Sequence, residues 1–178
     1  MPLTAGPVKT LTLDLPTAQV VSSVWNSSSP ARGLQHAIDM DDSAVLVDVL
    51  GAAQPRLHSH LNLELAADLL PPLTSLVESE YEDYMLAGLG AAASVLKAVG
   101  HLLRDAAEAA ANPGLFRGGV DLQFEERQDR CAALGEAFLA LRPRLGLLSD
   151  GRGRSAQLAA RVAKSLDRCL VPTADESY

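Results

Sequence analysis

An all-α fold is the architecture this sequence predicts, and three observations carry the prediction. Ala (28) and Leu (31) make up a third of the 178 residues, whereas Val, Ile, Thr, Phe, Tyr and Trp together number 27, with Ile38 the sole isoleucine. Small and straight-chain side chains keep most of their freedom in a helix, while β-branched and aromatic ones fit a pleated sheet. Apolar residues also recur at three- and four-residue spacing, between clusters of Pro and Gly that act as breakers. Finally, 48% apolar and 21% charged residues suit one packed domain rather than a disordered chain. Cys131 and Cys169, the only cysteines, are too few for a disulfide framework or a structural zinc site. The expectation is a single domain of about six to eight helices with helical-repeat-like packing, residues 13–170. Residues 1–12 are read as a flexible lead and residues 171–178 as a flexible tail.

The elements follow the punctuation. Pro16 suits a first helical turn, and Val20, Val21, Val24 and Trp25 form an apolar stripe after it. Trp25 is expected to be buried against Val45 or Val49. Ser27 to Pro30 makes a turn, and Pro30 to Met40 a short helix with Leu34, Ala37 and Ile38 on one side. Asp42 or Ser43 caps the next helix, which runs through Gln54 with Ala44, Val45, Val47, Leu50 and Ala53 inward until Pro55 stops it. A helix starting near Asn62 is expected to break at Pro71–Pro72, and a new one to run from Pro72 through Glu78. A long helix follows from Glu80 to about Ala111, ended by Asn112, Pro113 and Gly114. Gly118 and Gly119 form a turn, and Asp121 opens a helix to Leu141 or beyond that Pro143 kinks or ends. Glu125, Glu126 and Arg127 fall in its first turns, where acids complement the macrodipole. Ser149 to Gly153 is an exposed loop, and Ser155 to Leu170 is the last helix.

Several kinds of chemistry are excluded by pattern. Met1 to Thr10 lacks a basic start followed by an apolar run, so no secretory signal is expected, and a soluble intracellular protein is. Tyr84 to Leu103 has the length of a membrane span, but it carries Lys97 and His101 and owes its apolarity largely to Ala and Gly; a buried helix explains it better. Gly88 to Ala93 superficially matches a dinucleotide fingerprint, which works only between a strand and the mouth of a helix. Here it sits inside a helix, where small residues let another helix approach. His58 and His60 have no acid or Cys at a ligand spacing and read as loop histidines. No nucleophile–base pair, phosphate loop or metal motif occurs, so the chain is expected to be no enzyme and to need no cofactor or metal.

Charge divides the chain. The net charge is −7, yet residues 1–114 hold 5 Lys/Arg against 13 Asp/Glu, while residues 115–168 hold 10 against 7. Arg142 to Lys164 contains six basic residues and one acid, Asp150. One end of the molecule is therefore suited to an acidic partner, a solvated helix face being the plain alternative.

Four stretches occur in order along the chain: SSVWN, AVLVDVL, LPPLTSLVESEYEDY and GVDLQFEERQDRC. Together they resemble the conserved C-terminal domain of the regulatory, WD-repeat subunit of katanin, the microtubule-severing complex, from about Val20 to Asp167. The most specific pieces are Leu70, Pro71, Ser79, Tyr81, Glu82 and Tyr84, and then Gly119, Val120, Asp121, Glu125, Glu126, Arg127 and Cys131. The family's large subunit carries an N-terminal WD-repeat propeller, for which these 178 residues leave no length, so a lone domain is expected, either excised or a shorter relative. The chain also has Gln123 where relatives place a capping Ser, which passes the cap to Asp121, and its basic residues are mostly arginine. The resemblance implies a non-catalytic helical adaptor that binds the N-terminal helical domain of the catalytic AAA ATPase subunit and engages microtubules. Spindle-pole or ciliary proteins are further implied partners, nucleic acid and membrane are not, and the implied location is the microtubule cytoskeleton of the cytoplasm, at centrosome, spindle pole or cilium base. The alternative is a generic helical scaffold, or a short paralogue that binds the ATPase subunit without touching microtubules.

Two sets of residues are singled out. Tyr81, Tyr84, Met85 and Gly88 share a helix face with Ala92, which either receives a helix of the ATPase subunit or packs internally. Arg142, Arg144, Arg152, Arg154, Arg161 and Lys164 form the basic surface expected to meet the acidic microtubule.

Overall fold

The computed structural model describes residues 30–111 and 122–170. These form six α-helices and one 3₁₀ turn, with no strand among the described residues: α1 Pro30–Asp39, α2 Ser43–Ala53, the turn Leu57–Ser59, α3 Leu63–Glu78, α4 Glu82–Ala111, α5 Leu122–Ser149 and α6 Arg154–Leu170. The all-α expectation is met. The Trp25 stripe, the breakers at Asn112 to Gly114, the Gly118–Gly119 turn and the Asp121 cap lie outside the described residues.

Local chemistry places the helix starts. Asp42 is extended, and its carboxylate accepts from the amides of Ala44 (2.9 Å) and Val45 (3.3 Å), so Asp42 rather than Ser43 caps α2. Asp41 before it takes a left-handed φ of 51°, which reverses the chain out of α1 and which aspartate tolerates better than most residues. Asn62 caps α3 in the same way, through a 2.8 Å bond from the Leu65 amide. The inward face of α2 differs from the expected one. Val45, Leu46, Val49 and Leu50 are buried, whereas Ala44 is exposed and Val47 and Ala53 are half-buried. Eight of its eleven residues are apolar (Ala44, Val45, Leu46, Val47, Val49, Leu50, Ala52, Ala53), so periodicity alone could not orient it.

The expected break at Pro71–Pro72 does not occur: α3 runs unbroken from Leu63 to Glu78. Two prolines deprive the carbonyls of Ala67 and Asp68 of their helical donors, at roughly 3 kcal/mol per proline. Against this, α3 buries Leu65, Ala66, Leu69, Leu70, Leu73, Leu76 and Val77 along one face, and a fully buried Leu contributes about 1.5–3 kcal/mol. Asp68 and Pro71 are exposed, so water can serve the freed groups. Pro143 likewise fails to end α5, which continues to Ser149. Leu139, whose carbonyl loses its donor there, and Pro143 both face solvent, while Leu141 and Leu145 on either side are buried.

Helix α4 is the hub. It packs against α2, the 3₁₀ turn, α3, α5 and α6. Its most apolar 18-residue window is 61% buried inside the protein, so core packing accounts for a run long enough to cross a membrane. Its small residues do what the sequence predicts. A β-carbon on Gly88 would lie 2.9 Å from Leu76 Cβ and 3.1 Å from the Val77 backbone nitrogen, and one on Gly100 would lie 2.7 Å from Cys169 Sγ. Helices α5 and α6 form an antiparallel hairpin around Asp150–Gly153, with Gly153 at a φ of 111° and Gly135 lying against Leu170.

Candidate functional site

The start of α4 builds the first candidate surface. Ser79 Oγ accepts from the Tyr81 amide at 3.2 Å, and the Met85 amide donates to the Tyr81 carbonyl at 3.0 Å, so Tyr81 sits just ahead of the first turn. Glu82 and Asp83 complement the helix dipole there. Tyr81 is 72% exposed, and its ring lies 5.6 Å from that of Tyr84 at a 55° tilt. Tyr84 is half-buried against the core, and Met85 is half-buried. Gly88 and Ala92 are buried, and Gly88 has no room for a β-carbon against α3. The predicted face is thus divided: internal packing takes Gly88 and Ala92, and Tyr81, Tyr84 and Met85 reach the surface.

The predicted basic residues lie on α5, α6 and the turn between them. Arg142 forms a 2.9 Å ion pair with Asp167, both side chains about half exposed. Arg144 is half-buried, with its Nε sealed from solvent and unpartnered. Arg152, Arg154, Arg161 and Lys164 are exposed. Arg142 meets α6 near its C-terminal end, whereas Arg154 begins that helix, roughly 20 Å away at 1.5 Å per residue. The six cations are therefore spread over α5, the turn and α6 rather than gathered at the turn alone.

Sequence reasoning missed a third feature. A groove of about 580 Å³ lies between α4, α6 and the 3₁₀ turn, with Lys97, Arg104, Arg161, Arg168 and His58 in its lining. Only Arg161 was singled out from the sequence, and half-buried His58 was read as a loop histidine. A signal existed, since Lys97–Arg104 and Arg161–Arg168 are each seven residues apart and so each pair shares a helix face. That the two faces meet is a tertiary fact.

A second, apolar groove of about 520 Å³ runs between α4 and α5, lined by Leu103, Ala106, Phe124, Cys131 and Leu139. Ala110 of α4 and Leu170 of α6 also line it. Leu139 is 46% exposed on its rim. At the far end of the same stretch of α5, the Arg127 guanidinium lies 5.5 Å from the Phe124 ring centre, a cation–π contact in the helix's first turns.

Both cysteines are free and buried, and burial pushes their thiols above the ordinary value of 9.0. At Cys169 a hydrogen bond from Arg104 and that residue's charge oppose the shift in part. Among the described residues no three His, Cys, Asp or Glu side chains gather as a metal site, and no polar or charged residue is buried. Gly88 to Ala93 lies in mid-α4, where the backbone amides are spent on the helix itself.

A profile described as the con80 domain of katanin matches residues 10–166. Among curated proteins, the chain is 33% identical over 113 residues to the katanin p80 WD40 repeat-containing subunit B1 of Danio rerio, covering 64% of this chain and 15% of that protein. It is 27% identical over 144 residues to the protein of that name from Xenopus tropicalis, covering 81% of this chain and 21% of the relative. For the Gallus gallus protein the figures are 31% over 111 residues, with 62% and 16% covered. The chain thus spans about a fifth or less of the length of these relatives. With most of its length matched and the all-helical architecture in place, the chain belongs to the katanin con80 domain family.

Proposed function

We propose that this chain is a non-catalytic adaptor of the katanin system, which binds the N-terminal helical domain of the catalytic AAA ATPase subunit and helps target or regulate severing at microtubules. The observation that carries this reading is the con80 match over residues 10–166. The p80 subunits that the chain resembles are regulatory in the family the sequence points to, which supports the same role here. Two surface features support the two contacts. Exposed Tyr81, beside half-buried Tyr84 and Met85, offers a rigid aromatic anchor for the ATPase subunit, since buried tyrosines dominate interface energetics. Arg142, Arg144, Arg152, Arg154, Arg161 and Lys164, spread along α5 and α6, suit the acidic microtubule lattice. The corresponding location is cytoplasmic and microtubule-associated, at centrosome, spindle pole or cilium base, where spindle-pole or ciliary proteins are further partners.

Co-purification with the ATPase subunit, followed by microtubule pelleting of chain and complex, tests the reading. Stable heterodimer and pelleting are expected. Heterodimer without pelleting assigns the chain to a competing scaffold, and loss of both removes the adaptor role.

A further inference from the structure

The groove between α4 and α6 joins cations from the two halves of the sequence. Lys97 and Arg104 stand on one wall, Arg161 and Arg168 on the other, all four exposed, and among the described residues no Asp or Glu is in the lining. None of the four is ion-paired with a described residue, while Asp167, the acid next to Arg168, is engaged by Arg142 of α5. On each wall the two cations are seven residues apart, about 10 Å along the helix. An extended peptide rises about 3.3 Å per residue and sends successive side chains to opposite sides, so a short acidic run presents carboxylates to both walls within that span. Between the walls, Ala93 and Leu158 supply apolar floor, and Gln54 and Ser165 supply groups able to bond a peptide backbone. Among the described residues no Phe, Tyr or Trp lines the groove to stack on nucleobases.

We propose that this groove binds an extended acidic peptide segment of a protein partner, its carboxylates pairing with Lys97 and Arg104 on one side and Arg161 and Arg168 on the other. Binding is a property of this chain alone and needs no ATPase subunit. Its failure is therefore separable from failure of the heterodimer.

The test is fluorescence anisotropy of a fluorescein-labelled octaglutamate peptide titrated with the full chain at low salt. Saturable binding that weakens with added NaCl is expected. The K97E/R168E variant, with one charge reversed on each wall, should bind about tenfold more weakly or worse. K97Q/R168Q should fall between it and the parent, and circular dichroism and melting checks that both variants fold. A variant with Arg152 and Arg154 changed to Ala, which leaves the Arg142–Asp167 pair in place, should retain the parent's peptide affinity. No binding, indifference to K97E/R168E, or an equal loss in the Arg152→Ala/Arg154→Ala variant would overturn the proposal. So would tighter, groove-dependent binding of a single-stranded oligonucleotide of equal charge. Binding that appears only after deletion of residues 171–178, which carry Asp175 and Glu176, would assign the groove to the chain's own tail and overturn it too.

Discussion

Gly51, Gly146 and Gly88 are all helical, yet their surroundings set opposite expectations. A β-carbon on Gly51 or Gly146 would meet nothing within 4 Å, so Gly51→Ala and Gly146→Ala should each raise stability by about 0.5–1 kcal/mol through helix propensity. Gly88→Ala gains the same propensity but drives a methyl against Leu76 and the Val77 backbone, an overpacking cost of about 1–3 kcal/mol. Its denaturation midpoint should fall while the other two rise. The buried thiols add a pH dependence. Cys131 and Cys169 hold their protons more tightly folded than unfolded, so stability from this source is complete below the unfolded value near 9.0 and is lost as pH rises through the folded values. Denaturation of the parent between pH 7 and 10 should show a decline that the Cys131→Ala/Cys169→Ala variant shows less steeply. Equal slopes would mean that other groups carry the alkaline loss.

Among the elements, α2 depends on its cap. Asp42→Ala removes the acceptor of two amide bonds and should cost about 1 kcal/mol, read as a lowered melting temperature with helical content nearly unchanged. The start of α4 separates binding from packing more cleanly than sequence spacing alone does. Tyr84 packs on the core, so its truncation mixes stability with affinity, whereas Tyr81 is largely free of the core. If Tyr81 anchors the ATPase subunit, Tyr81→Ala should weaken the heterodimer by about 2 kcal/mol and leave the melting temperature in place. Calorimetric titration with unchanged affinity would remove Tyr81 from the interface. The proline-bearing α3 and α5 persist because their lost hydrogen bonds face water while the opposite face is buried.

For the whole molecule, charge is the governing quantity. A chain of net −7 approaches an acidic lattice only through local clustering, because salt screens charges beyond about 8 Å. Each exposed arginine contributes about 0–1 kcal/mol, so several must act together. Changing Arg142, Arg144, Arg152 and Arg154 to Ala should leave the heterodimer intact and reduce microtubule pelleting, most at low salt. Pelleting indifferent to both the variant and the salt would exclude this surface. Arg142 is already held by Asp167 and Arg144 is half-buried, which shifts the expected weight toward Arg152 and Arg154.

By itself the sequence determined the helical class, a cap at Asp42 or Ser43, a helix start near Asn62, the approximate helix bounds and the close approaches at α4, because these rest on local propensity, side-chain reach and residue size. Its family resemblance likewise lies in short ordered motifs. Only the tertiary structure decided that Pro71–Pro72 and Pro143 sit inside continuous helices, since burial of a distant face outweighs a local penalty. It alone turned α2 toward Leu46 and Val49, because a helix apolar on most sides takes its orientation from its neighbours. It alone decided that α3 is the helix that approaches Gly88, and set Lys97 and Arg104, from the acidic half of the chain, opposite Arg161 and Arg168. Electrostatic surfaces depend on distance in space, and helix packing brings together residues that sequence order keeps more than fifty positions apart.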